Sequence, residues 1–389
     1  MHSMLQMLSF GRIRAANNQQ LASSFARIFT RTTSSSSNMS TNNLSLSWTK
    51  IVPRPDPTHG APCERSSHGV SLVHNGSRLI VYGGEHIART PIESNQACWA
   101  VDLPDATSDG SSWRWIDSAP PDRIAHAQAV HHNKVYIFGG RQGIAMSEKA
   151  LNDLWVLDCS GAPGTETWSV VETSGVPPEE RSFHKMICIG SCLYVFGGCG
   201  ASGRLNDLHQ LDLTTMTWTS LGNSQLKGRG GPNLLPLSSG SKVAVIAGFA
   251  GEETKDGHQY CLAKQAWDDS IMLTPLENMR PRSVCVSAAF PSAGVAIIFG
   301  GEVDPSDRGH EGAGGFENDL VLLDEKTGAF LESRRAEDGA AWPEQRGWTD
   351  SDSIDCGDGT GKFVLFGGLS GDDVAPKRLN DLWCLTLKK

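Results

Sequence analysis

No apolar run in this 389-residue chain approaches the ~18–20 residues that a membrane-spanning helix needs. Positive charge is not in excess. The formal net charge is -9, which argues against a nucleic-acid footprint. The 10 cysteines include no Cys-x-x-Cys pair, so they do not form a zinc pattern. Cys188, Cys192, Cys285 and Cys384 fall in strand-like runs and read as small buried apolar residues in a reducing compartment. Cys199, directly after a Gly-Gly, is the candidate reactive thiol. No Gly-x-x-x-x-Gly-Lys follows the glycine pairs, so they are not phosphate loops. Acidic residues are missing from the front of the chain, where the first is Asp56.

What is present is repetition. The 42 Gly and 19 Pro suit a turn-dense fold. A hydrophobic run ending in Gly-Gly is followed, after a variable gap, by Asn-Asp-Leu and then by a Trp in a further run. Val135-Tyr136-Ile137-Phe138-Gly139-Gly140, Leu151-Asn152-Asp153-Leu154-Trp155 and Trp168 make one copy. Leu193 to Gly198, Leu205-Asn206-Asp207-Leu208 and Trp218 make the next. Other marks fall at Gly83-Gly84, Gly300-Gly301 and Gly367-Gly368, with a degenerate copy at Val243 to Phe249. This is about six units of roughly 50 residues, each holding four short strand-like runs. The expectation is an all-β, six-bladed β-propeller over residues 44–389.

The last unit stops at Lys389, before its Trp-bearing fourth strand. Ser47-Trp48-Thr49-Lys50-Ile51-Val52 supplies such a strand at the start. The N-terminal strand is therefore expected to join the last blade and close the ring, leaving no open edge. Residues 1–43 stand apart. Arg12, Arg14, Arg27, Arg31 and Ser34 to Ser37 give them the composition of an organelle transit peptide. The location is mitochondrial (or plastid) if this leader functions, and cytoplasmic if translation starts near Met39.

Comparing the copies separates scaffold from chemistry. Arg65-Ser66-Ser67-His68, Arg123-Ile124-Ala125-His126 and Arg181-Ser182-Phe183-His184 occupy one place in successive blades, and Arg282 and Arg346 match the first part. These residues read as structural hydrogen-bonding groups, with the histidines lining a central pocket as the alternative. Asn-Asp-Leu reads as a turn or strand-start device. The Gly-Gly pairs suit close backbone approach or unusual dihedrals. The loop after each Gly-Gly shares a face with the loop bearing the repeated Arg, because neighbouring strands reverse. Its first residue varies: Glu85, Arg141, Cys199, Glu302, Leu369. Loops on a rigid scaffold carry function. The loop from Gly301 to Phe316 offers carboxylates, an imidazole and glycine backbone, a set suited to a divalent first-row metal or to plain solvation.

The repeat resembles that of the kelch family, which implies a kelch β-propeller. The loop after Gly301 narrows the resemblance to plant nitrile-specifier, epithiospecifier and thiocyanate-forming proteins and their broadly distributed kelch relatives. That resemblance implies iron(II) held by a Glu-x-x-x-Asp-x-x-x-His pattern. Glu302 and His310 match it, Ser306 stands at the middle position, and Asp307 is the substitute candidate. It also implies substrate contacts at Arg141, Arg204, Phe183 and Trp348. Two functions follow. One is a binding protein that uses this loop face for a protein partner or a small anionic molecule, as a monomer or weak dimer. The other is iron(II)-dependent direction of the breakdown of a thiohydroximate-type aglycone to a nitrile or related product.

Overall fold

The computed structural model describes residues 41–103, 110–117, 120–143, 150–272 and 276–389, and of Asn42 and His310 the backbone alone. The expected leader lies outside the described residues up to position 40. No helix among the described residues is long and apolar enough to cross a membrane.

Six antiparallel sheets form the blades. Blade 1 comprises Gly69–Val73, Arg78–Tyr82, Cys98–Asp102 and Trp113–Ile116. Blade 2 comprises Ala127–His131, Lys134–Arg141, Ala150–Asp158 and Thr167–Val170. Blade 3 runs from Lys185–Ile189 to Thr217–Asn223, where Ser174–Gly175 adds a parallel outer strand. Blade 4 runs from Asn233–Leu237 to Ala266–Trp267, and blade 5 from Val286–Phe290 to Phe330–Arg334. Blade 6 comprises Asp350–Asp355, Thr360–Gly371, Pro376–Lys388 and, as its outermost strand, Ser45–Ile51. The innermost strands neighbour one another in order, and the sixth returns to the first.

The strands read as continuous apolar runs because both faces of each blade are covered. Val135 and Ile137 pack toward blade 1, while Tyr136 and Phe138 pack toward blade 3. Six apolar clusters result, each joining two neighbouring blades. Closure is as expected from the sequence. Trp48 lies opposite Leu385 and sits 5% exposed among Phe299, Trp342, Phe363 and Trp383.

The repeated arginine is the joint of each blade. Arg123 is fully buried, donates to the Gly139 carbonyl at 3.0 Å and pairs with both oxygens of Asp153 at 2.8 Å. Arg181–Asp207, Arg229–Asp256, Arg282–Asp319 and Arg346–Asp381 repeat the arrangement. The Asp of Asn-Asp-Leu is thus the arginine's counter-ion, and in blades 2, 3 and 6 it sits at a register shift within a strand and not in a turn. The sequence reading missed this role, and also Arg229 in the degenerate blade. Burial works against ionised Asp319, but the bidentate bonds from Arg282 outweigh it and lower its pKa. Arg65 differs. Ala97 takes the Asp place, and the guanidinium donates to the carbonyls of Cys63, Gly83, Gln96 and Ala97.

The same arginine links blades through its backbone. The Gly140 N–H donates to the Arg181 carbonyl of the next blade, and Gly84, Gly198, Gly248, Gly301 and Gly368 do likewise around the ring. Gly139 and Gly140 have φ of 63° and 94°. A Cβ on Gly139 would lie 2.9 Å from the Arg181 carbonyl, and one on Gly140 2.7 Å from that of Ile124. Dihedral and close approach both demand glycine there.

The histidines also bridge blades. His68 Nε2 lies 2.9 Å from the Phe366 carbonyl of blade 6, and a carbonyl can only accept, so His68 donates. Burial first, and the nearby arginine second, push His68 and His184 well below 6.5 and His126 down to about 3.

Three outcomes test this frame. Trp48→Ala should cost about 3–5 kcal/mol in urea unfolding, and a fully stable, soluble deletion of residues 46–53 would contradict the closure. Asp319→Ala strands buried Arg282 and should cost about 3–5 kcal/mol. A cost near zero would remove the arginine from its central place. Below pH 6.5 the unfolded chain takes up a proton at position 126 that the folded chain refuses down to about 3. Stability is therefore lost as pH falls through that window, by about 1.4 kcal/mol per unit for this residue. His126→Gln should flatten the decline between pH 6.5 and 4.5, whereas parallel wild-type and variant curves would refute a neutral His126.

Candidate functional site

Each blade contributes the same two backbone pieces to one face. The residue after the repeated Arg bridges to the first residue after Gly-Gly: Ser66 to Glu85, Ile124 to Arg141, Ser182 to Cys199, Gly230 to Phe249, Ser283 to Glu302 and Gly347 to Leu369. The six loop residues so held all line a cavity of about 830 Å³ on that face. Five of them were singled out from the sequence as the variable position. Phe249 was missed, although its place after Gly248 in the degenerate copy marks it.

The next residue of each blade makes a closed ring. Ala125 N–H donates to the Ser67 carbonyl, Phe183 to Ala125, Gly231 to Phe183, Val284 to Gly231, Trp348 to Val284 and Ser67 to Trp348. All six have φ between 48° and 57°. That region suits glycine, and costs a bulky residue about 1–2 kcal/mol. Only blade 4 uses glycine there, at Gly231. Phe183 and Trp348 hold the same strained backbone and meet edge to face, with ring centroids 5.4 Å apart. Their blades, the third and sixth, are opposite in a ring of six, so the pair spans the axis. Strain retained at bulky residues directs attention to what their side chains do. Here they floor the cavity. The inner strands that follow line a second, smaller cavity of about 420 Å³ that includes His68, Gln128, Lys185 and Asp352.

The cavity wall is charged on two sides. Arg141 (9% exposed) and Arg204 line it from blades 2 and 3. The Arg204 guanidinium lies 4.5 Å from the Phe249 ring centroid, a cation–π contact that aims the charge. Glu85 is fixed by the hydroxyls of Ser66 and Ser67 at 3.1 and 3.2 Å, with Arg378 3.5 Å away. Glu302 is buried, and burial pushes its carboxyl up to about 7 against the pull of three donors: the Ser306 and Gly314 N–H groups and the Trp348 side chain. Burial also raises the Cys199 thiol, with Arg204 and Arg141 pulling the other way, so it is not the low-pKa thiol that reactivity requires.

Of the residues expected to touch substrate, Arg141, Arg204, Phe183 and Trp348 share this cavity, together with Glu302. Glu302 is the expected iron donor that the described side chains place in the cavity. Asp307 is exposed and does not line the cavity, and Asp304 is exposed and paired with Arg280 at 2.7 Å. Ser306 bonds through its hydroxyl to Asp373. His310 sits in the short 3-10 turn Gly309–Glu311, and its side chain lies outside the described residues. Among the described residues no cluster of three His, Cys, Asp or Glu is arranged to hold a metal ion.

The KLHDC2/KLHL20/DRC7 kelch-repeats domain matches this sequence over residues 29–160 and 95–301. The chain belongs to the kelch-repeat family. This kelch protein is 26% identical to the N-(sulfonatooxy)prop-2-enimidothioate sulfolyase of Thlaspi arvense, over 75% of its own length and 84% of that protein's. It is 34% identical to kelch domain-containing protein 2 of Bos taurus, over 48% of this chain and 53% of that one. It is 30% identical to host cell factor 2 of Homo sapiens, over 50% of this chain and only 26% of the relative. Among solved structures, YjhT superposes with a TM-score of 0.61 over 83% of this chain and 95% of its own, at 16% identity, a likeness of fold.

Proposed function

We propose that this kelch propeller is a binding protein whose loop-face cavity takes a small organic anion with an apolar body. The observation that carries this reading is the pairing of Arg141 and Arg204 at one side of a cavity that also holds Phe183, Phe249, Trp348, Val284 and Leu369. Guanidinium groups bind sulfate or carboxylate through charge-assisted bonds, and an aromatic floor takes the apolar remainder. Sequestration from water strengthens the first term and supplies the second. The name of the Thlaspi arvense relative describes a ligand of this class, a sulfated group on a short unsaturated chain.

A second reading follows from the same relative: iron(II)-dependent direction of the breakdown of a thiohydroximate-type aglycone. Bound iron would supply Lewis-acid or electron-transfer assistance. Of its donors, Asp307 is exposed and outside the cavity, and the His310 side chain lies outside the described residues. What the residues do without a metal is recognition. Arg141 and Arg204 hold the anion, Phe183 and Trp348 pack its body, and the ring of backbone bonds keeps the floor in place.

Hexyl sulfate is a suitable probe, with hexan-1-ol as its neutral counterpart, in calorimetric titration. Wild type should bind the sulfate at one site and the alcohol at least about tenfold more weakly, a difference of about 1.4 kcal/mol. Arg141→Gln and Arg204→Gln should each lower sulfate affinity by about tenfold or more. Equal affinity for sulfate and alcohol, or affinity indifferent to both substitutions, would remove this function and leave the loop face to a protein partner.

A further inference from the structure

The loop-face cavity is lined by charges of both signs. Arg141 and Arg204 come from blades 2 and 3, Glu85 and Glu302 from blades 1 and 5, and Glu180 from the segment that enters blade 3. Glu85 and Glu302 hold one position, the residue after Gly-Gly, and both are buried, at 4% and 7% exposed. Their surroundings differ. Glu85 has a counter-ion in Arg378 at 3.5 Å, and it accepts from the Ser66 and Ser67 hydroxyls and from the Arg89 N–H. The basic residues nearest Glu302 in the chain are engaged elsewhere. Arg280 pairs with Asp304 and Glu317, Arg282 pairs with Asp319, and Arg308 donates to the Asp373 carbonyl. Among the described residues no cation pairs with Glu302, and no carboxylate pairs with Arg204, whose guanidinium lies against the Phe249 ring. Blades 2 and 5 are opposite in a ring of six, so Arg141 and Glu302 stand at opposite walls.

A carboxylate without a counter-ion works against a ligand that is only an anion, because like charges repel more strongly where water is excluded. A buried charge also calls for a partner of opposite sign. A ligand with a positive end at the Glu302 wall meets both conditions. We infer that the ligand of this cavity is a zwitterion, an organic anion that carries an ammonium group at the far end of its apolar body, and that Glu302 receives the ammonium. This rests on the anion-binding reading and deepens it to a ligand class. The anionic end meets Arg141 and Arg204, the body lies on Phe183 and Trp348, and the ammonium donates to the Glu302 carboxylate at the opposite wall. The two ends of the cavity then each gain a charge-assisted hydrogen bond, and neither wall repels the ligand.

The test is calorimetric titration with hexyl sulfate and 6-aminohexyl sulfate at about pH 8.5, above the value of about 7 to which burial pushes the Glu302 carboxyl. The probes share the sulfate and differ at the other end, methyl in one and ammonium in the other, which an ordinary pKa of about 10.4 keeps charged. Wild type should bind 6-aminohexyl sulfate at least about tenfold more tightly than hexyl sulfate. Glu302→Gln should lower the affinity for 6-aminohexyl sulfate by about tenfold or more and bind hexyl sulfate no more weakly than wild type. Glu302→Asp draws the carboxylate back by one methylene. It should weaken the amino probe alone, by about threefold, and carries the test if the glutamine variant does not fold. Glu180→Gln should leave the preference for the amino probe in place. Hexyl sulfate bound as tightly as the amino probe overturns the inference and leaves the anion-binding reading standing. A preference that Glu180→Gln removes and the Glu302 variants keep also overturns it. So does tight one-site binding of iron(II) alone, titrated anaerobically and abolished by Glu302→Gln, because a metal would then be the counter-ion. Binding of neither probe removes the anion-binding reading and this inference with it.

Discussion

A buried arginine at the head of each inner strand is the constraint on which the rest of this propeller depends. Its guanidinium joins two strands of its own blade, through a glycine carbonyl and an aspartate. Its carbonyl accepts the N–H of the preceding blade's second glycine. A charge buried this deeply is tolerated only when paired and hydrogen-bonded, which explains why the arginine, the glycine pair and the aspartate travel together. The first blade shows how far the rule bends. There the carbonyls of Gln96 and Ala97 stand in for the aspartate around Arg65.

This scaffold leaves one position per blade chemically open. The first residue after each glycine pair is held by the same backbone bridge in every blade, so its side chain varies without disturbing the ring. Six such residues converge on one cavity. The floor of that cavity, by contrast, comes from positions whose backbone favours glycine. Phe183 and Trp348 occupy them at a cost and meet edge to face. Constancy of frame and variety of side chain are thus two consequences of the same geometry.

Parts of this were legible in the chain because they repeat or complete a repeat. The glycine pairs marked the blades, and Trp48 stood out as a fourth strand without its own first three. Arg141, Arg204, Phe183 and Trp348 could be assigned to one face by strand reversal alone. Other parts were not legible, because they depend on pairs far apart in sequence. Asp153 looked like a turn residue because its partner, Arg123, lies 30 positions away on another strand. Arg229 escaped notice because its blade reads Thr254-Lys255-Asp256 where the others read Asn-Asp-Leu. The metal pattern at Glu302, Ser306 and His310 has regular spacing, but spacing does not say which way a carboxylate faces or what already occupies it.

The chain by itself determined the six-fold repeat, the closing strand and the face on which variation gathers, because strand periodicity and turn chemistry are local properties. Only the tertiary structure decided which residues meet across the axis. Phe183 and Trp348 are 165 positions apart by number yet touch at 5.4 Å, because closing six blades brings the third and sixth face to face. The same closure buried Glu302 in the cavity lining and left Asp307 in solvent. Burial, more than residue type, sets how readily that carboxylate ionises.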